Sequence, residues 1–384
     1  MKATKGEVLY HLLKPFGLAY FKGKYRLEIL SNPLQDLREP YLLVGHHVHN
    51  ADPVISNGCA RTLIRYIAGD ANQDDWLKRN LLKVLESVPF AKNRADAKAI
   101  RELMKHVKAG RPIGLYPEGG RTWDGTTDYI IPSTAKLIKM FNLPVYAAFH
   151  KGGFLSDPRW CSHPRRSKIL VEIRQIFDRG AIAQKSSEEL YQELVQALAY
   201  NEFQWQNTAR IPFPGNNLAE HIERLLYMCP ECGGVNSHKS QGDNFRCTAC
   251  QQGYSLDVYG FINGGKFQDT AEWNKWQRIH LPRLVQEGFA FISKDIEVER
   301  IAKTGRQRFS AQVTLTPEKV IITHQEIEEV PLAKLTSLSI TYKDTVEFYL
   351  GTTKFRLLFD PTKEHVSIKL FYDLIFHIKE GSNQ

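Results

Sequence analysis

The chain has 384 residues, enough for two or three domains, the first of which can bury a full core. Lysine and arginine number 51 against 42 aspartates and glutamates, a formal net charge of +9. That surplus favours an anionic partner, which a phospholipid surface, a phosphorylated substrate or a nucleic acid would each supply. No run of about 20 apolar residues occurs, so no transmembrane helix is expected.

Residues 8–21 are the nearest approach to an apolar span, but Lys14 and Pro15 break it. No small-residue cleavage site follows, which argues against a signal peptide. With Lys2, Lys5, Lys22 and Lys24 on its flanks, the segment fits either a membrane interface or a helix packed on its own domain. Residues 25–30 alternate like a strand, and the apolar run 41–45 reads as the next, buried one. His47 and Asp52 follow in an H-x-x-x-x-D spacing. Pro53 disfavours α geometry at Asp52 and suits the start of a helix, which predicts Asp52 as the N-cap and His47 in the turn before it. One carboxylate oxygen would then cap the helix while the other holds the imidazole N–H, leaving the far ring nitrogen as a general base. Taken alone, the spacing also recurs by chance.

Residues 94–110 carry Ile100, Leu103, Met104 and Val107 on one helical stripe, with Gly110 as the stop. Residues 112–116 read as a buried strand delivering a loop at 118–121. A helix over 134–141 leads to a strand over 144–150, and Ile169, Val171 and Ile173 alternate in another. Ser186 and Glu189 make a capping box opening a helix with Leu190, Leu194 and Leu198 inward. This strand–helix alternation predicts an α/β sandwich with its reactive loops along one edge of the sheet.

A linker is expected at 211–217, Ile-Pro-Phe-Pro-Gly-Asn-Asn. Beyond it, Cys229 and Cys232, then Cys247 and Cys250, form two C-x-x-C pairs with Gly233-Gly234 after the first. Four thiolates so spaced can close a tetrahedral zinc site of structural type, and the pattern looks like a zinc ribbon. The remaining cysteines, Cys59 and Cys161, are isolated, and this usage points to a reducing compartment. Zinc ribbons and a basic chain raise nucleic acid as a partner. However, His238, Lys239 and Arg246 are the only cationic residues between the first and last of the four cysteines, and Phe245 the only aromatic, which argues against it. A helix is predicted over 269–287, then short strands at 311–315, 319–323, 327–332, 335–342, 345–350 and 354–359, and a final helix over 364–380. No internal repeat or low-complexity tract is present.

Four segments follow one another in order: His47 to Asp52, Val88 to Arg94 (VPFAKNR), Leu115 to Thr122 (LYPEGGRT) and Asn142 to Val145 (NLPV). They resemble the four blocks of the glycerolipid acyltransferase family, which includes the lysophosphatidic acid acyltransferases. In that family the first block reads N-H-x-x-x-x-D, the second ends in Arg after an aromatic, the third is F-P-E-G-T-R-S, and the fourth has Pro-Val. The extensions Arg121 to Gly125 and Pro158 to Trp160 look like a bacterial branch, and the resemblance covers about the first 180 residues. His46 replaces the family's Asn, His49 its Ser, and Gly120 its Thr. These departures bear on acceptor choice, because they line the expected head-group position. His46, His47 and His49 also invite a metal reading, against which Asp52 already accounts for His47 and no third or fourth ligand is evident.

The resemblance implies a glycerolipid acyltransferase-type αβ sandwich over residues 1–210. A linker with a four-cysteine zinc ribbon would fill 211–265, and a helix with a mainly antiparallel, PH-like or GRAM-type β domain and a C-terminal helix 266–384. It implies an O-acyltransferase moving a fatty acyl group from acyl-CoA or acyl carrier protein to a lysophospholipid hydroxyl, with His47 as general base and Asp52 orienting it. Arg94, Glu118, Gly119, Gly120 and Arg121 would bind the substrate phosphate, Glu118 by orienting Arg121 or a substrate hydroxyl. The chain would sit in the cytoplasm, peripheral to the anionic inner face of the membrane. Two other readings stay open: a different acceptor, such as glycerol 3-phosphate or an amino-acid lipid, and a non-catalytic zinc-ribbon adaptor.

Overall fold

The computed structural model describes residues 4–69, 76–90, 97–166, 168–363 and 365–381. They divide into two units: residues 1–158 with 164–214, and residues 159–163 with 215–384.

The first unit runs α1 (Lys5–Tyr25), β1 (Glu28–Ser31), β2 (Leu42–Gly45), α2 (Asp52–Cys59), β3 (Arg65–Gly69), α3 (Trp76–Val84), β4 (Val88–Phe90), α4 (Ala97–Lys108), β5 (Ile113–Leu115), α5 (Ser133–Phe141), β6 (Val145–Lys151), α6 (Gly153–Ser156), β7 (Leu170–Phe177), α7 (Arg179–Gln184), α8 (Ser187–Leu198) and α9 (Glu202–Ala209). Its strands form one sheet in the order β1-β7-β6-β2-β5-β3-β4. β2 lies parallel to both β5 and β6, with Leu42 opposite Ile113 and Val145. Only the β6–β7 pair is antiparallel. Residues alternate between the two faces of a strand. Leu42, Val44, Val145 and Ala147 therefore pack with Leu103, Ile138, Leu190, Leu194 and Leu198 on one side. Leu43, Tyr146 and Ala148 pack with Ile55, Cys59, Leu18 and Phe21 on the other. Sheet faces covered on both sides explain why β2 and β5 read as continuous apolar runs.

Helix α1 passes straight through Pro15, and it corrects one bound of the sequence reading: it extends to Tyr25, so the first strand starts at Glu28 rather than residue 25. A capping box between Thr4 and Glu7 starts it. Proline strips an N–H from the helix, but His11 and Pro15 are both exposed, so the carbonyl left over can bond to water. The buried side of α1 is tied down by polar contacts. Tyr10 donates to the Asn57 and Ala60 carbonyls at 2.6 and 2.8 Å, and the buried Arg65 guanidinium reaches Glu7 at 2.9 Å and Glu86 at 2.8 Å. The Tyr10 contacts hold α1 against α2, the helix that opens with Asp52.

The second unit contains β8 (His238–Gln241), β9 (Asn244–Cys247), β10 (Gly253–Leu256), β11 (Ile262–Asn263), α10 (Thr270–Ile279), α11 (Leu281–Glu287), β12 (Phe291–Ala302), β13 (Gly305–Leu315), β14 (Lys319–Thr323), β15 (Ile327–Pro331), β16 (Leu335–Thr341), β17 (Thr345–Leu350), β18 (Thr353–Leu358) and α12 (Ile368–Gly381). β8 to β11 form a small antiparallel sheet, and β12 to β18 a second one in the order β15-β14-β13-β12-β18-β17-β16. The single helix expected over 269–287 is two, parted at His280 by Pro282 at the start of α11. β12 escapes sequence reading because Lys294, Asp295, Glu297, Glu299 and Arg300 crowd it with charge. A register shift between Ser293 and Ile296 also breaks its alternation.

Candidate active site

Parallel strands release their loops at the same edge of a sheet, which is where open α/β sheets bind ligands. Here β2 ends at Gly45 and hands the chain to His46 and His47; β5 ends at Leu115 and hands it to Glu118 and Arg121. Because β2 and β5 are paired, the two loops meet. Gly45 is required for this: a Cβ there would stand 2.9 Å from the Tyr116 ring. That ring stacks on the His47 imidazole with centroids 4.4 Å apart.

His47 Nδ1 lies 2.9 Å from Asp52 Oδ2. The same oxygen accepts the backbone N–H groups of Val48 and His49, each at 2.8 Å. This differs from the expected N-cap. Ala51 caps α2 without a side-chain bond, and Asp52 is the first helical residue. Its carboxylate turns back to close the 47–49 turn instead, because those N–H groups would otherwise be orphaned in a buried bend. The Asp52 carboxylate is buried, whereas 20% of the His47 side chain stays exposed. With Nδ1–H donated to a carboxylate, Nε2 is the nitrogen left to accept a proton.

The second loop braces the first. Glu118 Oε1 accepts the His47 N–H at 2.8 Å and stands 3.0 Å from His46 Nδ1, while Oε2 accepts the Asp128 N–H at 2.9 Å. Thr122 N–H donates to the His47 carbonyl at 2.8 Å, and Arg121 Nε to the Val48 carbonyl at 3.2 Å. Arg121 is buried, with its guanidinium against Asp157. Glu118 thus supports the histidine turn directly, a contact sequence reasoning did not foresee. Gly119 adopts φ +68°, left-handed geometry that glycine tolerates, and is exposed beside half-buried Gly120. Arg94 lies outside the described residues.

Residues 26–151 match a family model described as Acyltransferase. That segment is similar to the acyltransferases the model describes. The match takes in His47, Asp52, Glu118 and Arg121, the four residues around which the two loops are built. Among solved structures, the chain is similar to the 1-acyl-sn-glycerophosphate (LPA) acyltransferase PlsC from Thermotoga maritima. Identity there is 17% and the TM-score 0.45, over 52% of this chain and 79% of that one. A search of curated proteins finds no match.

Charge inside the first unit is sorted by local partners. Burial opposes ionisation of Asp52, but the imidazoles of His150, His47 and His49 around it hold its carboxyl well below the usual range. For His46, burial disfavours the imidazolium, yet the Glu118 carboxylate raises its proton affinity above the ordinary value. Burial brings His49 down to about 4, and its Nδ1 accepts the Ala51 N–H at 3.0 Å. The three histidines therefore have separate partners through Nδ1. Glu202, at the start of α9, is pushed up to about 7 by burial, with the Tyr200 hydroxyl at 2.7 Å. His150, Ser56 and Glu202 were not foreseen. Only His150 left a trace in the sequence, as the polar end of the apolar strand AAFH.

Among the described residues, the one cluster suited to a metal ion is Cys229, Cys232, Cys247 and Cys250, whose sulfurs all lie within 4.8 Å of one another. Cys229 to Cys250 spans 3.8 Å and Cys232 to Cys247 spans 3.7 Å. Sulfurs on a tetrahedron with metal–sulfur bonds of about 2.3 Å would be roughly 3.8 Å apart, so the spacing fits a bound ion. Each pair sits in a tight turn: Gly233 N–H bonds the Cys229 carbonyl and Gln251 N–H the Cys247 carbonyl, both at 2.9 Å. The Ser237 hydroxyl, 3.2 Å from Cys247 Sγ, would stabilise a thiolate.

Glu202 offers a measurable consequence. Its folded value of about 7 exceeds the ordinary 4.5, so folded chains keep a proton that unfolded chains release. The stabilisation is complete below pH 4.5 and lost as pH rises toward 7. Relative to wild type, Glu202→Gln should gain on the order of 3 kcal/mol between pH 4.5 and pH 8, read from urea unfolding across that range. Parallel pH profiles for the two proteins would remove the burial argument.

Proposed function

We propose that this protein is an O-acyltransferase that moves a fatty acyl group from a thioester, acyl-CoA or acyl carrier protein, to the hydroxyl of a lysophospholipid. The observation that carries the reading is the His47–Asp52 pair at 2.9 Å within a matched acyltransferase domain. His47 Nε2 takes the proton of the acceptor hydroxyl as its oxygen attacks the thioester carbonyl. The tetrahedral oxyanion then collapses, breaking the carbon–sulfur bond, and the thiolate leaves with the proton that His47 returns. Asp52 stabilises the imidazolium formed in between. The acceptor itself is the nucleophile, so no acyl-enzyme is needed.

Gly119, Gly120 and Arg121 are our candidates for the acceptor phosphate, since two glycines let backbone N–H groups come close and an arginine follows them in the chain. Glu118 serves as their brace, and Arg94 remains a further candidate from the resemblance. The departures at His46, His49 and Gly120 make the acceptor an experimental question, so glycerol 3-phosphate and amino-acid lipids belong in the assay. A role as a non-catalytic adaptor would leave the His47–Asp52 pair without a purpose.

We further propose that the four cysteines hold zinc as a structural ribbon within 211–265, and that 266–384 form a PH-like scaffold. Seven antiparallel strands and a closing helix, in that order, support the second point. No helix of the described residues is long and apolar enough to cross a membrane. Peripheral binding to an anionic inner membrane face is our reading of α1, whose outer side exposes Val8, Leu12, Leu13, Phe16 and Tyr20 between lysines.

Three experiments test these readings. His47→Ala should lower acyl transfer by about 10²–10⁴-fold with unchanged circular dichroism, in an assay offering a labelled acyl thioester to a panel of acceptors. Retention of more than about a few per cent of turnover would remove His47 from the base role. Purified protein should contain about one zinc ion per chain by elemental analysis, lost in Cys232→Ser; metal-free protein with an intact fold would contradict the ribbon. Vesicles containing phosphatidylglycerol should sediment the wild type, and a double Leu12→Glu, Phe16→Glu variant, altered at sites 62% and 74% exposed, should stay in the supernatant. Equal sedimentation of both would clear α1 of any membrane role.

A further inference from the structure

Asp52 has a second oxygen, and it faces a second histidine. His150 lies near the C-terminal end of β6, the parallel neighbour of β2 on the side away from β5. It is buried, with Nδ1 3.4 Å from Asp52 Oδ1. Its other nitrogen, Nε2, stands 3.2 Å from Ser56 Oγ, one turn into α2 and fully buried. Asp52 Oδ1 and His150 Nδ1 are both buried and have no hydrogen-bond partner among the described residues. Leaving two such atoms unmatched in a dry interior is costly, and here they stand within reach of each other.

Of the two neutral tautomers, only one makes both His150 contacts attractive. If Nε2 carried the hydrogen, the Nδ1 lone pair would oppose a carboxylate. If Nδ1 carries it, that N–H faces Asp52 Oδ1, and the Ser56 hydroxyl donates to Nε2. The Tyr66 and Tyr116 hydroxyls lie near Ser56 in the same buried region. Burial lowers the proton affinity of His150, which keeps the ring neutral and the choice of tautomer meaningful.

We propose that His150 is a positioning residue of the acyl-transfer site: as the Nδ1–H tautomer set by Ser56, it holds Asp52 Oδ1 while Oδ2 holds His47. This rests on the reading of His47 as the base. Oδ2 carries three N–H groups, so a carboxylate tethered there alone could still tilt about that oxygen. A contact at Oδ1 removes the tilt, and with it the spread in imidazole orientation. Three neighbouring strand ends would then shape the site: β2 supplies the base, β5 the brace and β6 the second hold on the acid.

The test combines three substitutions with one measurement on the unaltered protein. Asparagine places its amide where the imidazole has Nδ1, glutamine reaches the place of Nε2, and phenylalanine keeps the ring without donors. His150→Phe and His150→Gln should lower kcat about ten-fold with KM for both substrates within about two-fold, and His150→Asn should recover most of the loss. In wild-type protein labelled with 15N-histidine, the His150 ring, assigned by its absence in His150→Asn, should show a protonated Nδ1 and an unprotonated Nε2. An Nε2–H tautomer overturns the proposal, as does full kcat in His150→Phe. The wild-type spectrum decides the tautomer even where His150→Phe or His150→Gln fails to fold. Loss of turnover in His47→Ala beside full turnover in His150→Phe sinks this inference alone, whereas full turnover in His47→Ala sinks the reading beneath it.

Discussion

One carboxylate oxygen organises the site. Asp52 Oδ2 gathers the imidazole of His47 and two consecutive backbone N–H groups. The turn between β2 and α2 is thereby folded around a charge. Burying that charge is unfavourable in isolation, and the N–H groups and imidazoles around it offset the loss of water. The same bonds that keep Asp52 ionised also fix the tautomer of His47. Stabilising the turn and orienting the imidazole are a single physical act, which is why the two residues need the short separation they have.

That turn would be mobile if it stood alone, and the parallel pairing of β2 with β5 prevents this. Glu118, Thr122 and Arg121 reach across from the next strand end to bond the main chain at His47 and Val48. Residues that sequence comparison would assign to substrate are, in the fold, also part of the scaffold. The loop that carries Glu118 and Arg121 is thereby coupled to the histidine turn, since a shift in either is felt at His47 and Val48 through direct hydrogen bonds.

Burial has opposite outcomes at two carboxylates of this unit. Asp52, ringed by N–H groups and imidazoles, is held ionised, while Glu202, with a tyrosine hydroxyl and backbone contacts at Gly152 and Leu155, is pushed up to about 7. The number and charge of the partners decide, not depth. The cysteine cluster of the second unit applies the same rule to sulfur: four thiols within a few ångströms, once ionised, repel one another unless a cation joins them.

Local signals carried far in this chain. The capping box at Ser186, the buried runs that became β2, β5 and β6, the two C-x-x-C turns and the His47–Asp52 spacing are each written in a few adjacent residues, because caps, pleats and tight turns depend on neighbours. Short-range rules failed where solvent or a distant segment intervened. Pro15 is tolerated in the helix where His11 and Pro15 are both exposed, and β12 hides its alternation under charges and a shifted register. His150 and Glu202 were illegible for a deeper reason: 97 positions lie between Asp52 and His150 along the chain, and no periodicity links them. Residue types and their spacing were enough to say which groups can do acid–base and thiolate chemistry, and which strand ends present them. Which buried partners surround each group was settled only on folding, because strand order sets those contacts, and strand order depends on pairing across the whole sheet.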